Sequence, residues 1–449
     1  MPAVASPISI EDFANRVRDL PMGRRHGSVV ETGGLCLAIA GLGRSAAIGA
    51  RVEIVRDGTA PLLAEIVAAT ADRAIAMPFE AAIGVAPGAR VDLLPGPAAI
   101  APSAAWLGRC FDGLGRASDG NVAPVPGPAR RLVRSGPPPA ATRARLGQPL
   151  ETGIAAVDLF TPIAEGQRLG LFAGSGVGKS VLSGMFARFA AADVIVIGLI
   201  GERGRELREF IEDELGAEGL SRAVIVSATS DESPVMRRQA AWTTMAVAEH
   251  FRDTGARVLC LMDSVTRFAH ACREIGLAAG EPPTTRGYTP SVFAELPRLL
   301  ERAGPGQDVA EGRMGSITGL FSVLVEGGDM EEPIADAVRG ILDGHLILDR
   351  RIAARGRYPA IDLLGSLSRT ADRARSAAER ALLARARNCL STWDDMQELV
   401  RLGAYKSGAN ADVDAAIARA PHIEALCAQP REDRRNRMET IAALEEILS

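Results

Sequence analysis

The chain has 449 residues, 47% hydrophobic and 24% charged, the composition of an ordinary globular protein with room for two or three domains. A net charge of -4 excludes the global basic field expected of a nucleic-acid-binding protein. Six scattered cysteines without a C-x-x-C pair, and five histidines without H-E-x-x-H, exclude a disulfide framework and the common zinc motifs.

Glu11, Asp12, Arg16, Arg18 and Asp19 interrupt the N-terminal stretch, so no secretory leader is expected there, and no apolar run approaches the length of a membrane span. The expected location is the cytoplasm. Ile10, Phe13, Val17 and Leu20 recur at helical spacing over 8–20, with charge on the other face. Such a stripe packs on its own domain or docks on a partner or membrane surface; residues 1–26 are read as a docking helix. From 27 to 96, short apolar segments such as 28–30, 35–39, 51–55 and 90–94 alternate with glycine turns, the pattern of a small β-barrel.

Residues 95–150 are rich in Pro, Gly and Arg and read mostly as extended chain running over a surface. The cluster Arg130, Arg131, Arg134, Arg143 and Arg145 reads as solvated or subunit-facing rather than RNA-binding. Between 151 and 365, strand candidates at 168–173, 193–200, 223–228, 257–262, 316–325 and 345–348 alternate with helical stretches, notably 205–215, 235–253 and 265–275. That alternation predicts a parallel-sheet α/β domain, taken with its lead-in as 97–365. Residues 366–449 carry helical periodicity without strand signals and predict a C-terminal helical domain.

The chemistry centres on Ala173-Gly174-Ser175-Gly176-Val177-Gly178-Lys179-Ser180. An apolar strand, 168–172, precedes it and a helix-compatible run, 181–190, follows, which makes strand, glycine loop and helix a phosphate cradle. Backbone N–H groups of Gly174 through Gly178 point at an anion, Lys179 reaches the β- and γ-phosphates, and the Ser180 hydroxyl sits on Mg²⁺. The usual pattern begins with glycine; Ala173 stands there instead. The ligand class is a nucleoside triphosphate, ATP with Mg²⁺. Two further apolar strands end in acids. Arg257–Met262 leads to Asp263, in the position of a carboxylate facing the nucleotide's metal. Val194–Ile200 leads to Gly201-Glu202-Arg203, where Glu202 is the candidate to polarise the attacking water. Tyr358 is a candidate to stack on the base and Arg369 to stabilise transition-state charge across a subunit boundary.

Assembled, these motifs resemble a known family. PLETGI (149–154), the AGSGVGKS loop, GERGRE (201–206), LMDSVTRFA (261–269) and RYPAIDLLGSLSR (357–369) are similar to the catalytic subunits of rotary ATPases. VLVEGGDMEEPIAD (323–336), ILDGH (341–345) and PPTTRGYTPSVF (282–293) resemble the flagellum-specific and virulence-type III export ATPases rather than the synthase β subunit. The resemblance runs from about Gly27 to Gln429. It implies an N-terminal β-barrel, a RecA-like nucleotide domain and a C-terminal helical domain, assembled as a homohexameric ring that hydrolyses ATP for protein export.

By the same resemblance, Glu202 is the general base, Arg203 the arginine beside it, Lys179 and Ser180 the phosphate and metal contacts, and Asp263 the second metal residue. Arg369 is the finger reaching a neighbour's site and Tyr358 the adenine-stacking ring. The Gly287-Tyr288 loop faces the ring's pore, where a coiled-coil stalk protein or exported chain makes contact. A peripheral stator protein docks at the N-terminus, export chaperones and substrates are further partners, and the export gate brings the ring to the membrane. Leu426–Arg431 lacks the aromatics that complete the synthase's adenine pocket, which implies looser base selectivity. The flagellar branch is the expected one; the alternatives are a virulence-type III secretion ATPase and a catalytic subunit of a proton-translocating synthase, the latter disfavoured by 323–345. An RNA-translocating hexamer is disfavoured because 27–96 holds a single aromatic, Phe79.

Overall fold

In Arg51–Ile54, Val52 and Ile54 are buried while Arg51 and Glu53 are only partly covered, and this alternation is the local rule of a closed barrel. The computed structural model describes residues 25–307 and 315–449; the apolar face expected over 8–20 lies outside them. The described chain divides near Ala98 into two compact units. In the first, β1 (His26–Gly33), β2 (Cys36–Ala40), β3 (Arg51–Ile54), β4 (Leu62–Ala69), β5 (Arg73–Pro78) and β6 (Arg90–Leu93) run in the order β1-β2-β5-β4-β3-β6. Antiparallel pairing of β1 with β6 closes the circle, which leaves no free strand edge. Val29, Leu37, Ile39, Val52, Ile66 and Val91 fill the interior.

The second unit is built on a sheet whose central strands are apolar throughout, as strands buried on both faces must be. Its members are β7 (Arg109–Phe111), β8 (Arg168–Ala173), β9 (Val194–Glu202), β10 (Ala223–Thr229), β11 (Arg257–Asp263), β12 (Ser316–Leu324), β13 (Gly344–Leu348) and β14 (Leu367–Ser368). They lie in the order β14-β13-β8-β12-β11-β9-β10-β7, parallel except for β14, and Gly304–Pro305 pairs antiparallel with β12. All six strand candidates in 151–365 are therefore strands. The helices α1 (Lys179–Phe189), α2 (Gly204–Glu209), α3 (Pro234–Asp253), α4 (Val265–Ala278), α5 (Pro290–Leu300) and α6 (Pro333–Ile341) connect them. α3 starts on a Ser233 cap with Pro234 at its first turn, and is buried over nearly all its length.

Three expectations need correction. The 95–150 stretch is more than surface chain: β7 joins the sheet edge beside β10, with Phe111 fully buried and stacked on Trp106 at 3.8 Å. A three-residue strand inside Pro- and Gly-rich sequence carries no periodicity to read. Of its arginines, Arg130, Arg134 and Arg145 are exposed, as the solvated reading expects, while the partly covered Arg131 pairs with Asp253 at 2.6 Å and Arg143 with Glu301 at 2.6 Å, and Arg134 reaches Glu295 at 3.4 Å. Those acids lie more than a hundred residues downstream, so sequence proximity does not reveal them. The helix expected at 205–215 is α2 followed by a π-helical turn, Phe210–Leu215.

The sheet also extends past 365, since Ser368 pairs with Gly344. The helical region proper is α7 (Ala377–Arg401), α8 (Ala411–Cys427) and α9 (Arg437–Leu448). α7 begins with a reciprocal capping box, Ser376 with Glu379. Leu382, Leu383, Ile423 and Leu444 join the core cluster that also holds α1 and the sheet.

Candidate phosphate and metal site

β8 delivers the glycine loop at the carboxyl edge of the sheet. Ala173 is its last residue, buried and paired with Leu324 and Leu348, with ordinary strand backbone. Glycine is not required there, which explains the departure from the usual pattern. It is required at Gly176 (φ 77°) and Gly178 (φ 89°), where the backbone is left-handed just before α1. Val177 is buried and anchors the loop, while Ser175, Gly176 and Ser180 are exposed.

Lys179 opens α1 and turns its ammonium onto acids from two neighbouring strands. Nζ donates to Asp263 Oδ1, at the end of β11, and lies 3.6 Å from Glu202 Oε1, at the end of β9. Parallel register sets these strand ends side by side, Leu199 opposite Asp263. Burial works against the Lys179 charge, but Asp263 and Glu202 outweigh it and hold the ammonium above its ordinary pKa. Burial, reinforced by the charge of Asp263 and opposed by Lys179, pushes the Glu202 carboxyl up to about 7. Glu202 Oε1 is buried and accepts no hydrogen bond among the described residues. Asp263 is 8% exposed, and the Ser322 hydroxyl on β12 donates to its Oδ1 over 2.6 Å.

The other expected residues are placed differently. The Arg203 side chain is exposed and lies 3.7 Å from Glu206, which in turn interacts with Glu202. Tyr358 is 48% exposed, with its ring edge 3.6 Å from where a Cβ on Gly178 would stand. Its carbonyl accepts from the backbone of Gln429, whose buried side chain ties Ala155, Gly153 and Asp433 together. Arg369 is exposed at the sheet edge, its N–H on Asp343. Tyr288 is buried, its hydroxyl 3.1 Å from His270 Nε2; the exposed part of its loop is 282–286, where Arg286 pairs with Asp329 at 2.8 Å. A cavity of about 410 Å³ flanks the loop, lined by Gly174, Val177, Val325, Met330 and Arg350 among others. Sequence reasoning missed Ser322 and Arg350, which donates to the Ser175 carbonyl at 3.2 Å. Neither belongs to a motif; only strand register and chain crossing bring them in.

A family model described as the ATP synthase alpha/beta family, nucleotide-binding domain, matches residues 153–368, and one described as the T3SS EscN ATPase C-terminal domain matches 375–446. The chain is 52% identical to the flagellum-specific ATP synthase of Caulobacter vibrioides over 94% of its length and 96% of that protein's. It is 48% identical to a type 3 secretion system ATPase of Xanthomonas euvesicatoria, over 95% of this chain and 94% of that one. The assembled ATPase EscN of the enteropathogenic E. coli type III secretion system superposes with a TM-score of 0.87 at 38% identity, covering 94% of this chain and 100% of EscN. The same ATPase in complex with its central stalk EscO gives a TM-score of 0.85.

Proposed function

Because this chain belongs to the family of flagellum-specific and type III secretion ATPases, we propose that it hydrolyses ATP with Mg²⁺ to energise protein export through a bacterial flagellar apparatus, as a homohexameric ring. The observation that carries the reading is the Lys179–Asp263–Glu202 cluster beside the glycine loop. A cation and two acids of this kind are what triphosphate binding, metal binding and water activation need side by side.

Gly174 through Gly178 cradle the phosphates with backbone N–H groups, and Lys179 leaves its two acids for the β- and γ-phosphates. That departure removes the positive charge between Glu202 and Asp263. Glu202, in its ionised form, takes a proton from water through the otherwise unpartnered Oε1. Ser180 and Asp263 hold Mg²⁺: the Ser180 hydroxyl and Asp263 Oδ2 carry no hydrogen bond among the described residues, and both are hard oxygen donors. The water oxygen bonds to the γ-phosphorus as the bond to the ADP oxygen breaks, and the ion, when bound, would supply positive charge against the phosphate oxygens. Arg203 orients at the edge of this site, Arg369 arrives from the adjacent chain, and Tyr358 stacks on the base.

The partners follow the same reading. Residues 282–288 meet a coiled-coil stalk in the pore, consistent with the EscN–EscO complex. A stator protein docks on residues 1–26, chaperones and substrates are delivered to the ring, and contact with the export gate holds it at the inner membrane; no described helix is long and apolar enough to cross one. The test is ATPase rate per chain against concentration of the purified protein alone. A rate that climbs steeply with concentration is expected of a ring that completes its own sites. A flat zero would point to a second subunit type and overturn the homohexamer.

A further inference from the structure

Two donors share one oxygen of Asp263. Lys179 Nζ and the Ser322 hydroxyl both bond Oδ1, whereas no hydrogen bond reaches Oδ2 among the described residues. The two donors differ in what they can do next. Lys179 sits on a flexible stem at the mouth of the glycine loop, and its phosphate role takes it away from Asp263. Ser322 is 3% exposed on β12, a buried strand whose register pairs Phe321 with Met262 and so sets Ser322 beside Asp263. It cannot follow. At 2.6 Å its bond lies in the short range of hydroxyl-to-carboxylate contacts. The next turn of chain is fixed from the same strand, since the Leu324 N–H donates to Thr266 Oγ1 at 2.9 Å.

We propose that Ser322 is a positioning residue for hydrolysis: its hydroxyl keeps Oδ1 of Asp263 engaged after Lys179 has moved, leaving Oδ2 free for the divalent cation. Without that donor the terminal torsion of the carboxylate has a broad, two-fold range of orientations to choose from. Outer contacts of this kind govern how well a metal-holding group works, although they never touch the metal. The inference rests on the reading of Asp263 as a metal-holding residue.

The test uses Ser322→Ala, Ser322→Thr and Asp263→Asn in the full-length protein. Two quantities are read: the Mg²⁺ concentration for half-maximal ATPase, and the affinity for a fluorescent ATP analogue with Mg²⁺ and with EDTA. Ser322→Ala should raise the half-saturating Mg²⁺ about 10–100-fold and lower kcat, while metal-free analogue binding stays within about twofold. Ser322→Thr, which keeps the hydroxyl, should restore both. Unchanged Mg²⁺ dependence in Ser322→Ala overturns the proposal. So does an equal loss of analogue affinity in EDTA that threonine fails to rescue, because that is the mark of damaged packing. If Asp263→Asn itself leaves the Mg²⁺ dependence of binding intact, the reading of Asp263 fails with it. If Asp263→Asn removes that dependence and Ser322→Ala does not, only the role of Ser322 falls.

Discussion

Mixing two inactive variants, Glu202→Gln and Arg369→Ala, should restore ATP turnover. In its own chain Arg369 is far from the glycine loop. Ser368 pairs with Gly344 and His345 with Gly170, so Arg369 lies level with Arg168, at the opposite end of β8 from Ala173. Strand rise makes that about 16 Å along the sheet, and two strand spacings add about 10 Å across it, together about 19 Å. No arginine side chain spans such a distance, so a role in hydrolysis requires a neighbour's site. Each variant alone lacks one element of every site, and loss of an arginine finger costs about 10³–10⁵ in kcat, so each should sit near the floor. In an equimolar mixture that exchanges freely, about a quarter of the interfaces join a chain that keeps Glu202 to one that keeps Arg369, and the rate should recover to about a quarter of wild type. Phosphate release after the two proteins are mixed, diluted together and reconcentrated reads this directly. A mixture that stays at the sum of its parts refutes the reasoning.

Glu202 makes the nucleotide-free protein pH-sensitive. Its folded pKa of about 7 lies above the ordinary 4.5, so its contribution to stability is complete below the ordinary value and is lost as pH rises through 7. Glu202→Gln should therefore gain on wild type between pH 5 and pH 8 in urea unfolding, by at most about 3 kcal/mol; a difference that does not change with pH contradicts the shift. The fully buried Arg302 bonds Glu249 at 2.8 and 2.7 Å and donates to the Val133 carbonyl, tying the lead-in chain to α3 and α5. Arg302→Ala should cost about 3–5 kcal/mol in the same assay, and a loss under about 1 kcal/mol would mean that the stranded Glu249 finds water. Tyr358→Ala should weaken ATP binding by about 1–3 kcal/mol while leaving the ATP-to-GTP ratio nearly unchanged, because a ring face accepts any base; a large change in that ratio in competition binding is the contrary result.

The sequence was most legible where a long apolar run stops at a polar residue. Glu202 and Asp263 end β9 and β11, and the glycine loop follows β8, so hydrophobicity alone located three strand ends on one edge of the sheet. What stayed hidden depends on which strand lies beside which. Ser322 is an unremarked serine in an apolar strand until parallel register sets it against Asp263. β7 was missed because three residues have no period, and the π turn at Phe210–Leu215 because its residues are ordinary helix formers. Side-chain direction is equally unreadable. Resemblance places Tyr288 in a pore-facing loop, yet its ring is covered, between Phe293 and the guanidinium of Arg273. Burial and the nearby charges of Arg273, Arg267 and Arg237 push its partner His270 down to about 4, so the imidazole is neutral and the contact is fixed near neutral pH. The outward chemistry of that loop therefore rests on 282–286, and Arg286 joins it to Asp329 in the segment that lines the cavity beside the phosphate loop. Both partners of that pair are about half exposed, so solvent screens their attraction.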